Sequence, residues 1–317
     1  MIVALGEALI DLIQRPDGLF EARVGGGPLN TAVTIARLGG AVEFAGRVSS
    51  DAFGTRILER LRSDGVGTTL IAGAAQPTTL SVATLSDTGG ADYSFYLQGT
   101  ADWQWTSAEL GRVAELQPAA LHVGSLSAAI EPGSALIETL QRELATTTLI
   151  SYDMNLRPGL GLAVARERDR VERQVRLAHI VKASDDDIAW LHPGVDPFLT
   201  AASWTAPERA VVVTTGAAGA AVLLHGGHRI DVPGVPVEVA DTIGAGDSFC
   251  GGLLVALDRA GFLADGSRGI RGMTSAAWTT ALSFAMRVAA LTCTRVGAEP
   301  PTLRELDDFA VAVAGVS

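Results

Sequence analysis

The sequence of 317 residues is poor in cysteine, aromatic residues and lysine. Its two cysteines, Cys250 and Cys293, lie in apolar, helix-like patterns, so no disulfide framework is expected. No apolar run reaches transmembrane length without polar interruption, and the N-terminus lacks a basic region with a cleavage site. These absences predict a cytoplasmic protein without a membrane partner. The net charge of −11 argues against nucleic-acid binding, because proteins that bind phosphate backbones carry a basic face.

Strand and helix patterns alternate along most of the chain. A strand at 2–5, a helix at 29–38, a strand at 42–47 and a helix at 51–61 predict parallel strands flanked by helices, and the rhythm resumes after residue 107. Between them, 78–85 and 92–97 alternate like an antiparallel hairpin with its turn at 87–90. We therefore expect one α/β domain over 1–317, with a small separate β-sheet lid formed by about 11–24 and 77–103.

A glycine turn near the C-terminus, Gly244-Ala245-Gly246, separates an extended segment from an apolar helix and is followed by Asp247. Unpaired N–H groups at a helix N-terminus attract anions, so a carboxylate in the same place is unexpected. One chemistry accommodates both: Asp247 takes a proton from a hydroxyl while the turn stabilises a transferred phosphoryl group. The alternative is an ordinary helix start with Asp in its first turn.

An earlier glycine run ends at Gly27 and leads into a helix that contains Asn30. Asn30, Asp11 and the glycine N–H groups predict a site for a polar ligand such as a sugar. The alternative is a helix-capping Asn after a flexible loop.

Polar residues also follow two predicted strands, where parallel sheets place their ligands. Arg157 follows the strand at 148–152 and is interpreted either as an anion contact or as a surface ion pair with Asp153. The carboxylates of 185–187 open a helix and suit either Mg²⁺ or the helix dipole.

Two groups of motifs, one in each half of the chain, resemble the ribokinase-like (PfkB) carbohydrate kinases. The first is Gly25-Gly26-Gly27-Pro28-Leu29-Asn30 with its continuation to 54, and the second is Asp241-Thr242-Ile243-Gly244-Ala245-Gly246-Asp247. The stretches 6–11, 124–126, 153–158 and 292–298 are most similar to fructokinases. The resemblance implies a three-layer sandwich with a mostly parallel central sheet and a β lid through which two copies dimerise.

The resemblance also implies roles for individual residues, with ATP and Mg²⁺ as cofactors. Asp247 is then the general base, and Gly244, Ala245 and Gly246 form an N–H anion hole. The expected sugar contacts are Asp11, Gly26, Gly27, Asn30 and Arg157, and the expected nucleotide contacts are Lys182, Thr214, Gly216 and Gly219.

Two departures from the family pattern affect the predicted ions. The metal-linked Asn-x-x-Glu of the family appears here as Ser184-Asp185-Asp186-Asp187, so Asp187 is expected to reach Mg²⁺ through water. A monovalent cation, K⁺, is expected near Asp241 and Ile243, where Ile243 replaces a common Thr.

The resulting hypothesis is an ATP-dependent kinase that phosphorylates a primary hydroxyl of a hexose, fructose first. The Asp-x-Asn-x-Arg pattern at 153–157 also resembles 2-keto-3-deoxygluconate kinases. That resemblance implies that Arg157 could meet a substrate carboxylate, and it keeps this kinase as an alternative. An idle sugar-binding protein on the same fold and a nucleoside kinase are the remaining alternatives.

Overall fold

The computed structural model describes residues 1–15, 17–85 and 91–314, which include fourteen β-strands and ten α-helices. The strands are β1 (Ile2–Leu5), β2 (Leu9–Gln14), β3 (Phe20–Gly25), β4 (Val42–Ala45), β5 (Arg47–Ser49), β6 (Ala72–Ala74), β7 (Leu80–Leu85), β8 (Ala91–Tyr96), β9 (Ala120–Gly124), β10 (Leu149–Asp153), β11 (Ile180–Ser184), β12 (Ala210–Thr214), β13 (Gly219–Leu224) and β14 (His228–Pro233). The helices are α1 (Gly27–Arg37), α2 (Ala52–Ser63), α3 (Ser107–Glu115), α4 (Gly133–Leu144), α5 (Val164–Leu177), α6 (Asp185–Leu191), α7 (Pro197–Ser203), α8 (Ala245–Arg259), α9 (Ser275–Cys293) and α10 (Leu303–Ala314).

Eight strands form the central sheet, in the order β14-β13-β12-β11-β10-β9-β1-β4. The six strands from β12 to β4 are parallel, and β13 and β14 add an antiparallel hairpin at one edge. Parallel strands end at the same edge of a sheet, so the loops after β1, β9, β10, β11 and β12 lie side by side. Open α/β sheets bind their ligands at this edge.

Both faces of the central sheet are buried. Along β1, Ile2 and Ala4 pack into one apolar cluster with side chains of α1, α8 and α9, whereas Val3 and Leu5 pack into a second cluster with α3, α4 and α5. A strand that is covered on both sides is typically a nearly continuous apolar run, as 2–5 is. The result is a three-layer sandwich, which confirms the predicted fold class.

A separate four-stranded sheet, called the small sheet below, has the strand order β3-β2-β7-β8. It begins two residues earlier than the predicted 11–24 segment, at Leu9, and it contains the predicted hairpin strands; the predicted turn at 87–90 lies outside the described residues. Trp103 and Trp105, which follow it, are both buried in apolar clusters.

Two local details differ from the expected pattern. The strand expected at 42–47 is broken at Gly46, where a Cβ would lie 2.2 Å from the Phe44 ring, and β5 leaves the central sheet to pair with β6. The short helix α7 was not expected.

Both cysteines are free, and within the described part of the chain no helix is long and apolar enough to cross a membrane.

Candidate active site

The second glycine turn, residues 242–246, leaves the N-terminus of α8 open. Gly244 is in the left-handed region at φ 76°, and no side chain caps the helix. The first bond within the helix runs from Ser248 N–H to the Gly244 carbonyl at 2.8 Å, so the amides of Gly246 and Asp247 precede the helical ladder. The Ala245 N–H donates to the Thr242 carbonyl at 3.2 Å. Free N–H groups and the helix dipole together favour an anion here.

Asp247 lies in the first turn of α8 and is buried. Its Oδ2 accepts a hydrogen bond from Asn30 Nδ2 at 2.9 Å, and Asn155 Nδ2 lies 3.5 Å from Oδ1. Burial raises the pKa of Asp247 to about 6; the Asn30 hydrogen bond opposes this rise and the nearby Asp153 carboxylate adds to it. A carboxylate with such a pKa is ionised at neutral pH and still basic enough to accept a proton.

Close packing of α1 against α8 brings Asn30 to Asp247. Thr31 Oγ1 donates to the Asp247 carbonyl at 3.2 Å, and Gly251 of α8 has no side chain where Thr34 of α1 crosses it. A Cβ at Gly251 would lie 2.6 Å from the Thr34 Cβ, so a larger residue there would separate the helices. Two predicted site residues from opposite ends of the chain therefore meet because the helices that carry them touch.

The first glycine turn, residues 25–27, is filled by a carboxylate of the protein itself. Gly27 N–H donates to Glu7 Oε1 at 3.2 Å, and Ser127 N–H donates to Glu7 Oε2 at 3.0 Å. The Gly27 N–H is therefore bonded within the protein. The contact of Gly27 with a sugar stays a prediction. Because Gly27 has no side chain, it fits closely beside Asp247: a Cβ there would lie 3.3 Å from Asp247 Oδ1. Gly26, at φ 119°, has its backbone against the Glu7 carbonyl.

Asp11 and Arg157 approach the same site from two other directions. Asp11 lies on β2 of the small sheet; burial raises its pKa, whereas a hydrogen bond from Ser81 and the charge of Arg157 oppose the rise. Arg157 also lowers the pKa values of Glu7 and Asp247. The positive charge of the guanidinium therefore opposes the rise in pKa that burial causes in three carboxylates of the site, Glu7, Asp11 and Asp247.

The alternative ion pair between Arg157 and Asp153 does not form. Arg157 donates to Asn155 Oδ1 at 2.6 Å and to the carbonyls of Asn155 and Leu156. Asp153 instead pairs with Lys182, whose Nζ lies 3.1 Å from Asp153 Oδ1.

Lys182 supplies a buried positive charge beneath the second glycine turn. A Cβ at Gly246 would lie 2.9 Å from Lys182 Nζ, so the ammonium group lies directly under that residue. Burial is the largest single influence and lowers the pKa of Lys182, but the Asp153 carboxylate and the neighbouring groups together outweigh it and raise the pKa above the ordinary lysine value. The charge is therefore permanent. The contact of Lys182 with a nucleotide stays a prediction.

The other predicted nucleotide residues lie at the end of β12, beside β11. Thr214 is partly buried, and Gly216 at φ 55° has open space around it. Gly219 at φ 124° is required by the hairpin, because a Cβ there would lie 2.1 Å from the Val232 carbonyl oxygen. Packing thus accounts for Gly219 and leaves Thr214 and Gly216 available to a ligand at this edge.

The residues predicted to hold ions are engaged within the protein. Asp187 forms a capping box with Ser184 and accepts the Leu156 N–H at 3.1 Å. Asp241 accepts N–H bonds from Ile243 at 3.0 Å and from Gly297 at 2.8 Å. In the described ranges no three His, Cys, Asp or Glu side chains converge as a metal site. These residues fit an ion held through water or backbone oxygens, and both ion sites stay predictions.

Three residues of the site were not singled out from the sequence. Glu7 lies in the stretch 6–11 that resembles fructokinases, but no role was assigned to it because it follows an ordinary buried strand. Asn155 has a left-handed φ of 38°, a strained conformation that is visible only in the structure. Asp102 is buried at the base of the small sheet, where it accepts the Ala8 N–H at 2.8 Å and the Thr79 hydroxyl, and burial raises its pKa to about 7.

Taken together, the three-layer sandwich, the small sheet and the carboxylate beside an open helix N-terminus define a kinase of ribokinase-like fold. The chain belongs to the pfkB family of carbohydrate kinases: the model of that family, described as "pfkB family carbohydrate kinase", matches residues 1–305. The predicted family is therefore confirmed.

The similar proteins include several fructokinases. The fructokinase of Rhizobium leguminosarum bv. trifolii is 35% identical over 81% of this chain and 79% of its own. The structure of Xylella fastidiosa fructokinase with bound ATP superposes with a TM-score of 0.87 at 27% identity, covering 99% of this chain and 98% of that one. The Vibrio cholerae O395 fructokinase in its fructose, ADP and calcium bound form has a TM-score of 0.81 at 28% identity, covering 97% and 98%.

Proposed function

We propose that this protein is a fructokinase that transfers the γ-phosphoryl group of ATP to a primary hydroxyl of fructose. The observation that carries the proposal is Asp247, ionised at neutral pH and oriented by Asn30, beside the free amides of the second glycine turn. The fructokinases among its relatives, at 30–35% identity over most of the chain, support fructose as the sugar.

The side chains divide the work of the reaction as follows. Asp247 accepts the proton of the sugar hydroxyl as the hydroxyl oxygen forms its bond to the γ-phosphorus of ATP. The bond between that phosphorus and its bridging oxygen breaks, and the bridging oxygen leaves with ADP. Asn30 keeps the Asp247 carboxylate aimed at that oxygen, and Asp11 orients the sugar from the small sheet. The amides of the second glycine turn, with Lys182 beneath them, stabilise the negative charge on the transferred group.

ATP with Mg²⁺, when bound, supplies the phosphoryl group and neutralises part of its charge. The free amides of the turn fit a phosphate. Asp187 is the proposed contact of Mg²⁺, through water. Thr214 and Gly216 are the proposed nucleotide contacts on the neighbouring strand end. Backbone oxygens around Asp241 and Ile243 are the proposed K⁺ ligands, which predicts a lower rate when Na⁺ replaces K⁺.

The decisive experiment is an ADP-release screen of the purified protein with fructose, ribose, 2-keto-3-deoxygluconate and nucleosides. We expect the largest kcat/KM for fructose. A higher value for another substrate would reassign the sugar. Absence of turnover on all of them, from a folded protein, would favour an idle sugar-binding protein.

The position of Arg157 at the sugar site supports 2-keto-3-deoxygluconate as a second candidate substrate. Its guanidinium acts electrostatically on the carboxylates of the sugar site and is not paired with Asp153. Arg157→Ala should reduce activity on the keto acid far more than activity on fructose. Equal losses on both substrates would remove Arg157 from the choice of sugar.

We also propose a cytoplasmic homodimer formed through the small sheet. Phe20 and Tyr96 of that sheet, and Leu19 beside it, have exposures of 48%, 61% and 62%, and large apolar groups at a sheet surface favour association. Light scattering after size exclusion tests this. A monomer at micromolar concentration would contradict it.

A further inference from the structure

Arg23 connects the small sheet to a distant loop of the main domain. It lies on β3, and its guanidinium NH1 donates to the Val296 carbonyl at 2.8 Å. Its Nε is 2.9 Å from Glu21 Oε1, so the same guanidinium is oriented by a neighbour on its own strand. Arg23 is also the cross-strand partner of Asp11, so both side chains project from the same face of the small sheet.

The loop that Arg23 touches, residues 294–298, is packed against the second glycine turn. Gly297 N–H donates to Asp241 Oδ2, and Asp241 Oδ1 accepts the N–H of Ile243, inside the turn. Ala298 lies against Gly244, where a Cβ would come within 2.6 Å of the Ala298 Cβ. A displacement of this loop would therefore move residues that contact the turn directly.

Gly297 makes room for the guanidinium of Arg23. It has φ 81°, and a Cβ there would lie 2.4 Å from Arg23 NH1. Contacts thus run without a gap from the strand that carries Arg23, through the loop and Asp241, to the start of α8. One end of this chain of contacts lies in the sheet that carries Asp11, and the other lies at the amides that precede Asp247.

We propose that Arg23 is a positioning residue that couples the small sheet to the second glycine turn. The inference rests on the proposed function, because it assigns the sugar to the Asp11 side and the nucleotide phosphates to the turn. When the sugar fixes the small sheet, Arg23 holds the 294–298 loop and thereby fixes the turn for the phosphates. Bound sugar then tightens nucleotide binding, and by reciprocity bound nucleotide tightens sugar binding by the same factor.

The test measures this factor directly. The Kd of a non-hydrolysable ATP analogue is determined by calorimetry with and without saturating fructose, for the wild type and for Arg23→Ala. We expect coupling of about tenfold in the wild type, within the usual range for linked sites, and less than about twofold in the variant. Arg23 is partly exposed, so the variant should fold; its thermal melting curve checks this.

Two further variants make the result specific. Arg15→Ala removes another arginine of the same hairpin, one that pairs with Asp17 at 2.8 Å, and should keep the full coupling. Arg23→Lys, which retains a charged donor for the Val296 carbonyl, should keep part of it. A merely structural role of Arg23 would instead change both Kd values equally and leave their ratio unaltered.

The outcomes separate the two proposals. A wild type without turnover of fructose overturns the proposed function and this inference with it. An active wild type without coupling, or an Arg23→Ala variant with unchanged coupling, overturns the role of Arg23 alone. Loss of coupling in Arg23→Ala together with its retention in Arg15→Ala supports it.

Discussion

The two glycine turns of the site begin adjacent helices, and neither helix is capped by a side chain. They differ in what meets their amides. The first turn receives the Glu7 carboxylate, which is buried and bonded to Gly27 N–H, whereas the second turn leaves amides of α8 without a protein acceptor in the helix ladder. The same local motif thus has an amide bonded within the protein in one place and amides free for the proposed phosphate in the other.

This difference agrees with the role that the proposed function gives to each turn. A turn that must stabilise developing negative charge has to offer free donors that are already oriented. A turn that only lets helix α1 approach Asp247 is more stable when its donors are satisfied, because an unpaired buried N–H costs about 1–3 kcal/mol. Variants of the second turn should therefore lose catalytic rate, whereas variants of the first turn should lose stability and sugar affinity.

The largest expected effect belongs to Asp247, between the two turns. Asp247→Asn should lower kcat by about 10²- to 10⁴-fold, the usual contribution of a general base, while the Kd of the nucleotide stays within a few-fold of wild type. Coupled ADP release and calorimetry measure the two quantities. Asp258→Asn, an exposed change in the same helix, is the control. A variant that kept most of its rate would remove Asp247 as the base.

The second largest effects are expected for two glycine variants, one in each turn. Gly244→Ala and Gly26→Ala both place a Cβ at a positive φ against neighbouring atoms. Gly244→Ala should displace the amides of the second turn and lower kcat by about 100-fold, an effect comparable to the loss of one anion-hole donor, with little change in the sugar KM. Gly26→Ala should instead raise the sugar KM and lower the melting temperature. The comparison between the turns is wrong if steady-state kinetics show the same pattern for both.

Glu7→Gln tests the filled turn more gently. Glutamine offers one acceptor where Glu7 offers two, so either Gly27 N–H or Ser127 N–H loses its partner. Unfolding in urea should show a loss of about 1–3 kcal/mol, and the KM for sugar should rise more than kcat falls. The exposed Glu59→Gln serves as control. An unchanged urea midpoint would show that the turn does not depend on the Glu7 carboxylate.

The smallest effect expected is the pH dependence set by Asp247. Burial raises its pKa from 3.8 to about 6, and the base must be deprotonated to act. The sugar kcat/KM should therefore be level above about pH 7 and fall towards tenfold per pH unit below about pH 6. A stopped assay across pH 5–8 measures this profile. A flat profile down to pH 5 would mean that the carboxylate is not the titrating base.

Much of the architecture could be predicted because it depends on local sequence patterns. The alternation of strands and helices predicts a parallel sheet, and the change of pattern at 78–97 predicts a second sheet. The glycine turn before Asp247 predicts an anion site, since donors, dipole and carboxylate are all local to it. The break at Gly46 was missed because the local pattern of 42–47 does not show that β5 leaves the central sheet to pair with β6.

By itself, the sequence determined the fold class, the second glycine turn and Asp247 as the candidate base, since each depends on neighbours within a few residues. Only the tertiary structure decided what fills the first turn, where Lys182 places its charge and what Arg23 touches. Those answers depend on side chains that are far apart in the chain: Glu7 with Gly27 and Ser127, Lys182 with Asp153, and Arg23 with Val296. A buried charge finds its partner only when the whole core closes around it.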